Sequence, residues 1–163
     1  MSLNFFKSAC QYPLLNSAKF GLCDNQDGSM AYPDQFNQES WIAEVRNDKH
    51  RKIICTAIDK CIINDNEYRN KGRCDLMLTS DNLLYLVELK NQEPPWQSFA
   101  IEQLNSTIII LLENHDIKQF KKRKAFACNK KRDRFVVLDN EFNKAFYKRT
   151  TFRIDIQAEI VVV

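Results

Sequence analysis

Residues 73–90 read RCDLMLTSDNLLYLVELK. Two apolar runs, CDLML at 74–78 and LLYLVELK at 83–90, flank Thr79-Ser80-Asp81-Asn82. That composition predicts two strands and a hairpin turn. Side chains alternate along a strand, so Glu88 and Lys90 share one face, while Tyr85, Val87 and Leu89 share the other and can pack on a core. Pairing the strands would set Asp75 close to Glu88. Two neighbouring carboxylates repel unless a proton or a cation lies between them. A hard divalent ion takes oxygen ligands, and Mg²⁺ keeps several waters beside one or two carboxylates. A lysine at such a site can orient the bound water or stabilise charge on a phosphate. The competing expectation is an exposed strand end at a sheet edge, carrying a cross-strand ion pair.

Outward from this hairpin, the pattern predicts a helix from Asn37, with Trp41, Ile42 and Val45 as its apolar stripe. Ile53, Ile54, Ala57 and Ile58 extend helical spacing to about residue 59, and Cys61-Ile62-Ile63 starts a strand. Downstream, Pro94-Pro95 suits a helix start. The helix over 96–113 carries Phe99, Ala100, Leu104, Ile108, Leu111 and Leu112. Strands are expected at 124–128 and 135–138, a short helix at 139–149, and a terminal strand within 152–163. Residues 1–35, punctuated by Pro13, Gly21, Gly28 and Pro33, read as irregular.

In this order, Asp75, twelve residues, then Glu88-Leu89-Lys90 resembles the PD-(D/E)xK nuclease superfamily. The resemblance implies an α/β, restriction-endonuclease-like αβββαβ core, a central mixed sheet flanked by helices. It covers about residues 37–128 of a single domain, 1–163, with N- and C-terminal extensions. It also implies a divalent-metal-dependent cut of nucleic acid, DNA ahead of RNA. Asp75 and Glu88 would be metal ligands together with the Leu89 backbone carbonyl, the metal Mg²⁺ or Mn²⁺, and Lys90 the catalytic lysine. Many members place a Glu on the helix before the sheet, which assigns Glu39, with Glu44 as second choice. Many place a Gln on the helix after the lysine, which assigns Gln103 in AIEQLNSTI. The metal Asp usually follows Pro or a small residue; here Cys74 precedes it. Members that cut both strands often act as homodimers. The superfamily also contains members without turnover, so a nucleic-acid- or protein-binding module is the alternative. No specificity domain stands out, and a preference for structure, ends or single strands over a defined sequence is expected.

Net charge is only +3, but nine basic residues lie between Lys118 and Arg134 against one acid, Asp133. Such a segment favours a polyanion, and Lys130, Lys131 and Arg132 are the candidate backbone contacts to nucleic acid. Arg73 could touch phosphate, and Trp96 could stack a base or pack at the helix start. No apolar run approaches the ~20 residues of a membrane span, and the first residues lack the apolar core of a signal peptide. None of the six cysteines forms a C-x-x-C pair. They read as reduced core thiols of a cytoplasmic protein.

Overall fold

The structure is a computed structural model that describes residues 2–68, 71–93, 95–130, 135–136 and 139–163. A 3-10 turn (Ser8–Cys10) precedes β1 (Lys19–Cys23) and β2 (Tyr32–Asp34). A second 3-10 turn (Gln38–Ser40) leads into β3 (Ala43–Arg46), followed by β4 (Ile54–Ala57), β5 (Leu76–Ser80) and β6 (Leu83–Lys90). Then come α1 (Gln97–Asn114), β7 (Lys122–Asn129), β8 (Phe135–Val136), α2 (Asn140–Thr150), β9 (Arg153–Gln157) and β10 (Glu159–Val161).

The larger sheet runs β4-β5-β6-β7-β9, with the two-residue β8 on its edge. β5 is antiparallel to both its neighbours, β4 and β6, and β6, β7 and β9 are parallel. A parallel neighbour needs a crossover, and α1 supplies it between β6 and β7. The smaller sheet runs β10-β3-β1-β2, antiparallel except where β10 joins β3.

The side-chain alternation of β6 splits the core in two. Leu84 and Leu86 pack with Ala100, Leu104, Ile108 and Leu111 of α1 and with Phe146 of α2. Tyr85, Val87 and Leu89 pack with Phe20, Leu22, Val45 and Ile160 of the smaller sheet. The layers are therefore helices, large sheet, small sheet. Burial on both faces explains why β5 and β6 read as nearly unbroken apolar runs. Among the described residues no helix is long and apolar enough to cross a membrane.

Several expectations need correction. No helix spans 37–59: one 3-10 turn and the strands β3 and β4 occupy it. Ala43, Val45 and Asn47 point inward and Arg46 outward, a period of two that Trp41 and Ile42 had masked. Both ends of the Asn47 amide and the backbone of Arg51 close the intervening turn, with Asn47 Nδ2 donating to Arg51 O at 2.8 Å and Arg51 N–H donating to Asn47 Oδ1 at 3.0 Å. β4 is buried along most of its length, and a short buried apolar run has no periodicity that separates strand from helix. The order is thus βββαβ from β4 to β7 without the leading helix, and helices cover only one face. Residues 61–63 form a turn with a single bridge at Ile63 rather than a strand. Residues 1–35 and the tail are not appendages: β1, β2 and β10 build the second sheet. Cys10 and Cys61 form a disulfide, which overturns the reading of six reduced thiols and removes the premise of the cytoplasmic expectation. Cys23, Cys55, Cys74 and Cys128 are buried and free.

Gly21 is required by a close approach. A Cβ there would lie 2.0 Å from ring carbons of Trp41. The indole cannot retreat easily, because its Nε1–H donates to Asp34 Oδ2 at 2.8 Å. Gly21→Ala is expected to destabilise the fold by about 1–3 kcal/mol or more. Urea unfolding measures this, and an unchanged midpoint would contradict the packing of Trp41 on β1.

Candidate active site at the end of β6

Leu76 faces Val87 in the β5–β6 ladder, so the next pair outward is Asp75 with Glu88. The Asp75 N–H donates to Val87 O at 3.1 Å, holding the chain in register just ahead of β5. Both side chains lie on the α1 face, which Met77 and Leu86 continue into the core. Asp75 is 8% exposed and Glu88 only 3%. β6 is an interior strand, so the picture of an exposed sheet edge is replaced by a buried carboxylate pair. The ion pair is not cross-strand either: Lys90 Nζ lies 3.1 Å from Glu88 Oε2, two residues along the same strand.

The two carboxylates are held differently. Asp75 Oδ2 accepts the Leu89 N–H at 2.8 Å. In an extended strand a residue's N–H and C=O point to the same neighbour, so the Leu89 carbonyl is also directed to the Asp75 side. Glu88 Oε1 is buried and has no hydrogen-bond partner. Burial pushes the Asp75 carboxyl up to about 7, opposed by the Leu89 N–H and reinforced by the charges of Asp24 and Asp59. Burial also drives the Glu88 carboxyl well above its ordinary range, with Asp75 adding to the shift and Lys90 opposing it.

Helix α1 closes the site from above. Thr107 Oγ1 accepts the Cys74 N–H at 2.7 Å, and Gln103 Nε2 donates to Arg73 O at 3.4 Å. Gln103 Oε1 is buried without a partner. Gln103 and Lys90 line one cleft of about 340 Å³. On the other side Asn129, aligned with Lys90 in β7, binds Gln92 through both ends of its amide and fixes the chain leaving β6.

Thus the structure brings together Asp75, Glu88, Leu89, Lys90 and Gln103. It does not bring Glu39, which is exposed on the 3-10 turn of the small-sheet layer, where its carbonyl accepts from Lys130 Nζ. Glu44 lies on β3, not on a helix turn above the sheet. Arg73 is committed to Asp59 at 2.7 Å and Asp65 at 2.6 Å, so its fork does not face a phosphate. Trp96 is buried at the start of α1. Lys131 and Arg132 lie outside the described residues. The basic segment is not one surface: Lys121 to Lys124 sit at the start of β7 and Lys130 just past its end. Lys124, the nearer end of the first group, is six residues from Lys130, roughly 20 Å at about 3.3 Å each.

Asp24 and Asp59 were missed. Each ends an apolar run, KFGLCD and ICTAID, as the acid in LVELK does. That shared signature was the available signal. The donor set fits a divalent ion of the Mg²⁺ kind: two carboxylates, one of them with an orphaned buried oxygen, and a backbone carbonyl, with water completing the shell. Among the described residues no three acids, histidines or cysteines are placed to hold a metal together. Comparison with protein-family models, with curated proteins and with solved structures returns no match.

The raised carboxyl of Asp75 has a definite sign. Between its ordinary range near 4 and about 7, the folded chain holds a proton that the unfolded chain has released. Stability therefore falls as pH rises through this window, and Glu88 acts in the same direction. In EDTA, Asp75→Asn should melt higher than the parent above pH ~7, with the gap closing toward pH ~4. Parallel Tm curves for the two proteins across that range would rule this out.

Proposed function

We propose that the chain is a divalent-metal-dependent nuclease of the PD-(D/E)xK type, hydrolysing phosphodiester bonds of nucleic acid, DNA ahead of RNA. The observation that carries the reading is Asp75 opposite Glu88 with Lys90 at 3.1 Å, while the second Glu88 oxygen is buried and unpartnered. Burying two acids against one ammonium is costly unless a further cation or a proton completes the charge. The βββαβ order from β4 to β7 supports the fold-level part of the proposal.

Asp75, Glu88 and the Leu89 carbonyl would hold the ion. When bound, Mg²⁺ or Mn²⁺ polarises the phosphate and makes its water more acidic. The chain's own residues do the rest. Lys90 balances Glu88 in the resting site and offers N–H donors to a non-bridging phosphate oxygen or to the attacking water. Gln103, with its amide oxygen unpaired, can accept a hydrogen bond from that water and orient it. Asn129 keeps the end of β6 in place through Gln92. Glu39 has no role in this arrangement.

One observation favours the alternative of a binding module without turnover: Glu88 is 3% exposed, so substrate must reach a nearly closed carboxylate. A single experiment separates the two. Plasmid, single-stranded DNA and RNA are incubated with Mg²⁺, Mn²⁺ or EDTA, beside Glu88→Gln and Lys90→Ala. The nuclease reading expects metal-dependent cutting that falls by about a hundredfold or more in either variant. Cutting that survives in Glu88→Gln would refute the site. No cutting with any substrate or metal would favour the module.

A further inference from the structure

Phe99 is the most exposed of the large apolar side chains of α1, ahead of Ile109 and Leu112. The helix buries Ala100, Leu104, Ile108 and Leu111, whereas Phe99 is 56% exposed. It faces the same cleft of about 340 Å³ as Lys90, Gln103, Gln92, Glu102 and Gly72. That volume sits at the small end of the range for ligand pockets, roughly 300–1,000 Å³. A phenyl ring left in water beside a buried charged site is an adsorbing surface for a flat, partly apolar group. Gly72 lets the chain pass close against α1, since a Cβ there would come 2.8 Å from Gln103 Cγ and 3.0 Å from its Cα.

The charges around the ring decide what that group is. Glu102 is exposed on the same stretch of helix and lines the cleft, so its carboxylate repels a phosphate at that end. A carboxylate does accept N–H donors from a base amino group. Lys90 stands elsewhere on the lining and suits the phosphate. The cleft thus has an aromatic and acidic part for a base and a cationic part for the linkage. The cluster from Lys121 to Lys124, which could track a duplex backbone, lies at the far end of β7. Within a duplex both faces of a base are covered by its neighbours, and it reaches an aromatic side chain only by leaving the stack.

Resting on the nuclease reading, we propose that Phe99 is a stacking platform for an unpaired base and that the site takes single-stranded nucleic acid. Stacking tolerates any base, so the preference is for strandedness rather than for sequence. Glu102 adds a bias toward bases that carry an amino group.

The test uses Phe99→Trp, which puts an indole into the cleft while Trp41 and Trp96 stay 8% and 3% exposed. Oligodeoxycytidine is titrated in EDTA, alone and annealed to its complement, with fluorescence as the readout. Saturable quenching by the single strand, absent in the parent and much weaker with the duplex, is expected. In parallel, Phe99→Ala should lower Mn²⁺-dependent cleavage of the single strand roughly tenfold or more, with Phe99→Tyr restoring it. Equal quenching by both forms, or none, would overturn the platform, as would Phe99→Ala cleaving like the parent. Quenching by the single strand with no cleavage by the parent would keep the platform and sink the nuclease. Because Phe99 is exposed, an unchanged Tm of each variant separates lost stacking from lost folding.

Discussion

The rest of the structure is arranged around two carboxylates and one ammonium buried on interior strands. Removing charged groups from water costs several kcal/mol per ion, and a single contact returns only part of that. Asp75, Glu88 and Lys90, all ionised, leave an excess of one negative charge, and burial pushes the Asp75 carboxyl up to about 7. The backbone enforces it. The β5–β6 register fixes Asp75 against Glu88, and the strand period fixes Lys90 on the same face. Helix α1, tied to residues 73 and 74 by Gln103 and Thr107, seals the pair.

Parts of the chain distant in sequence supply the surroundings. Arg73 bridges Asp59 and Asp65, locking the β4–β5 connection against the strand that presents Asp75. The Cys10–Cys61 disulfide ties the first 3-10 turn to the same connection. Asp24 enters from the end of β1, in the other sheet, and still reaches Asp75 electrostatically. The second sheet therefore both roofs the Tyr85, Val87 and Leu89 face and contributes to the site's charge.

The hairpin, β6 from Leu83 to Lys90, α1 and β7 were legible because each carries a long one-period signal bounded by breakers. α2 was legible from its cap: Asp139 accepts the Glu141 N–H, and Lys148 and Arg149 sit in the last turn. β3 and β4 were not. Each is four residues long, and Trp41 and Ile42 are both buried because one lies on Gly21 and the next faces the core. That doublet imitates a helical stripe. β1 and β2 were hidden by the glycines and prolines around them, although Phe20 and Leu22 do alternate. Site membership followed the same line. Residues placed by strand period, Asp75, Glu88 and Lys90, came together, as did Gln103, given by its position on α1. Glu39 depended on a helix that does not form. The disulfide joins residues 51 apart, and nothing local in sequence signals it.

Local consistency elsewhere makes the charged end of β6 stand out. From Leu83 to Val87 every side chain is buried, and residues 76–78 of β5 and 125–128 of β7 are buried and apolar beside it. A leucine or methionine at Glu88 would extend the Leu84 and Leu86 face without an orphaned oxygen, and replacements of this kind are often neutral or stabilising. The chain keeps an acid there with one oxygen unsatisfied, an acid opposite and a lysine beside it. An exposed phenylalanine at 99 stands at the rim of the same cleft. Packing alone does not account for an acid at 88. Departures from local optimality that converge on one cleft, in a fold otherwise locally consistent, mark the place where a functional or strained site is to be sought.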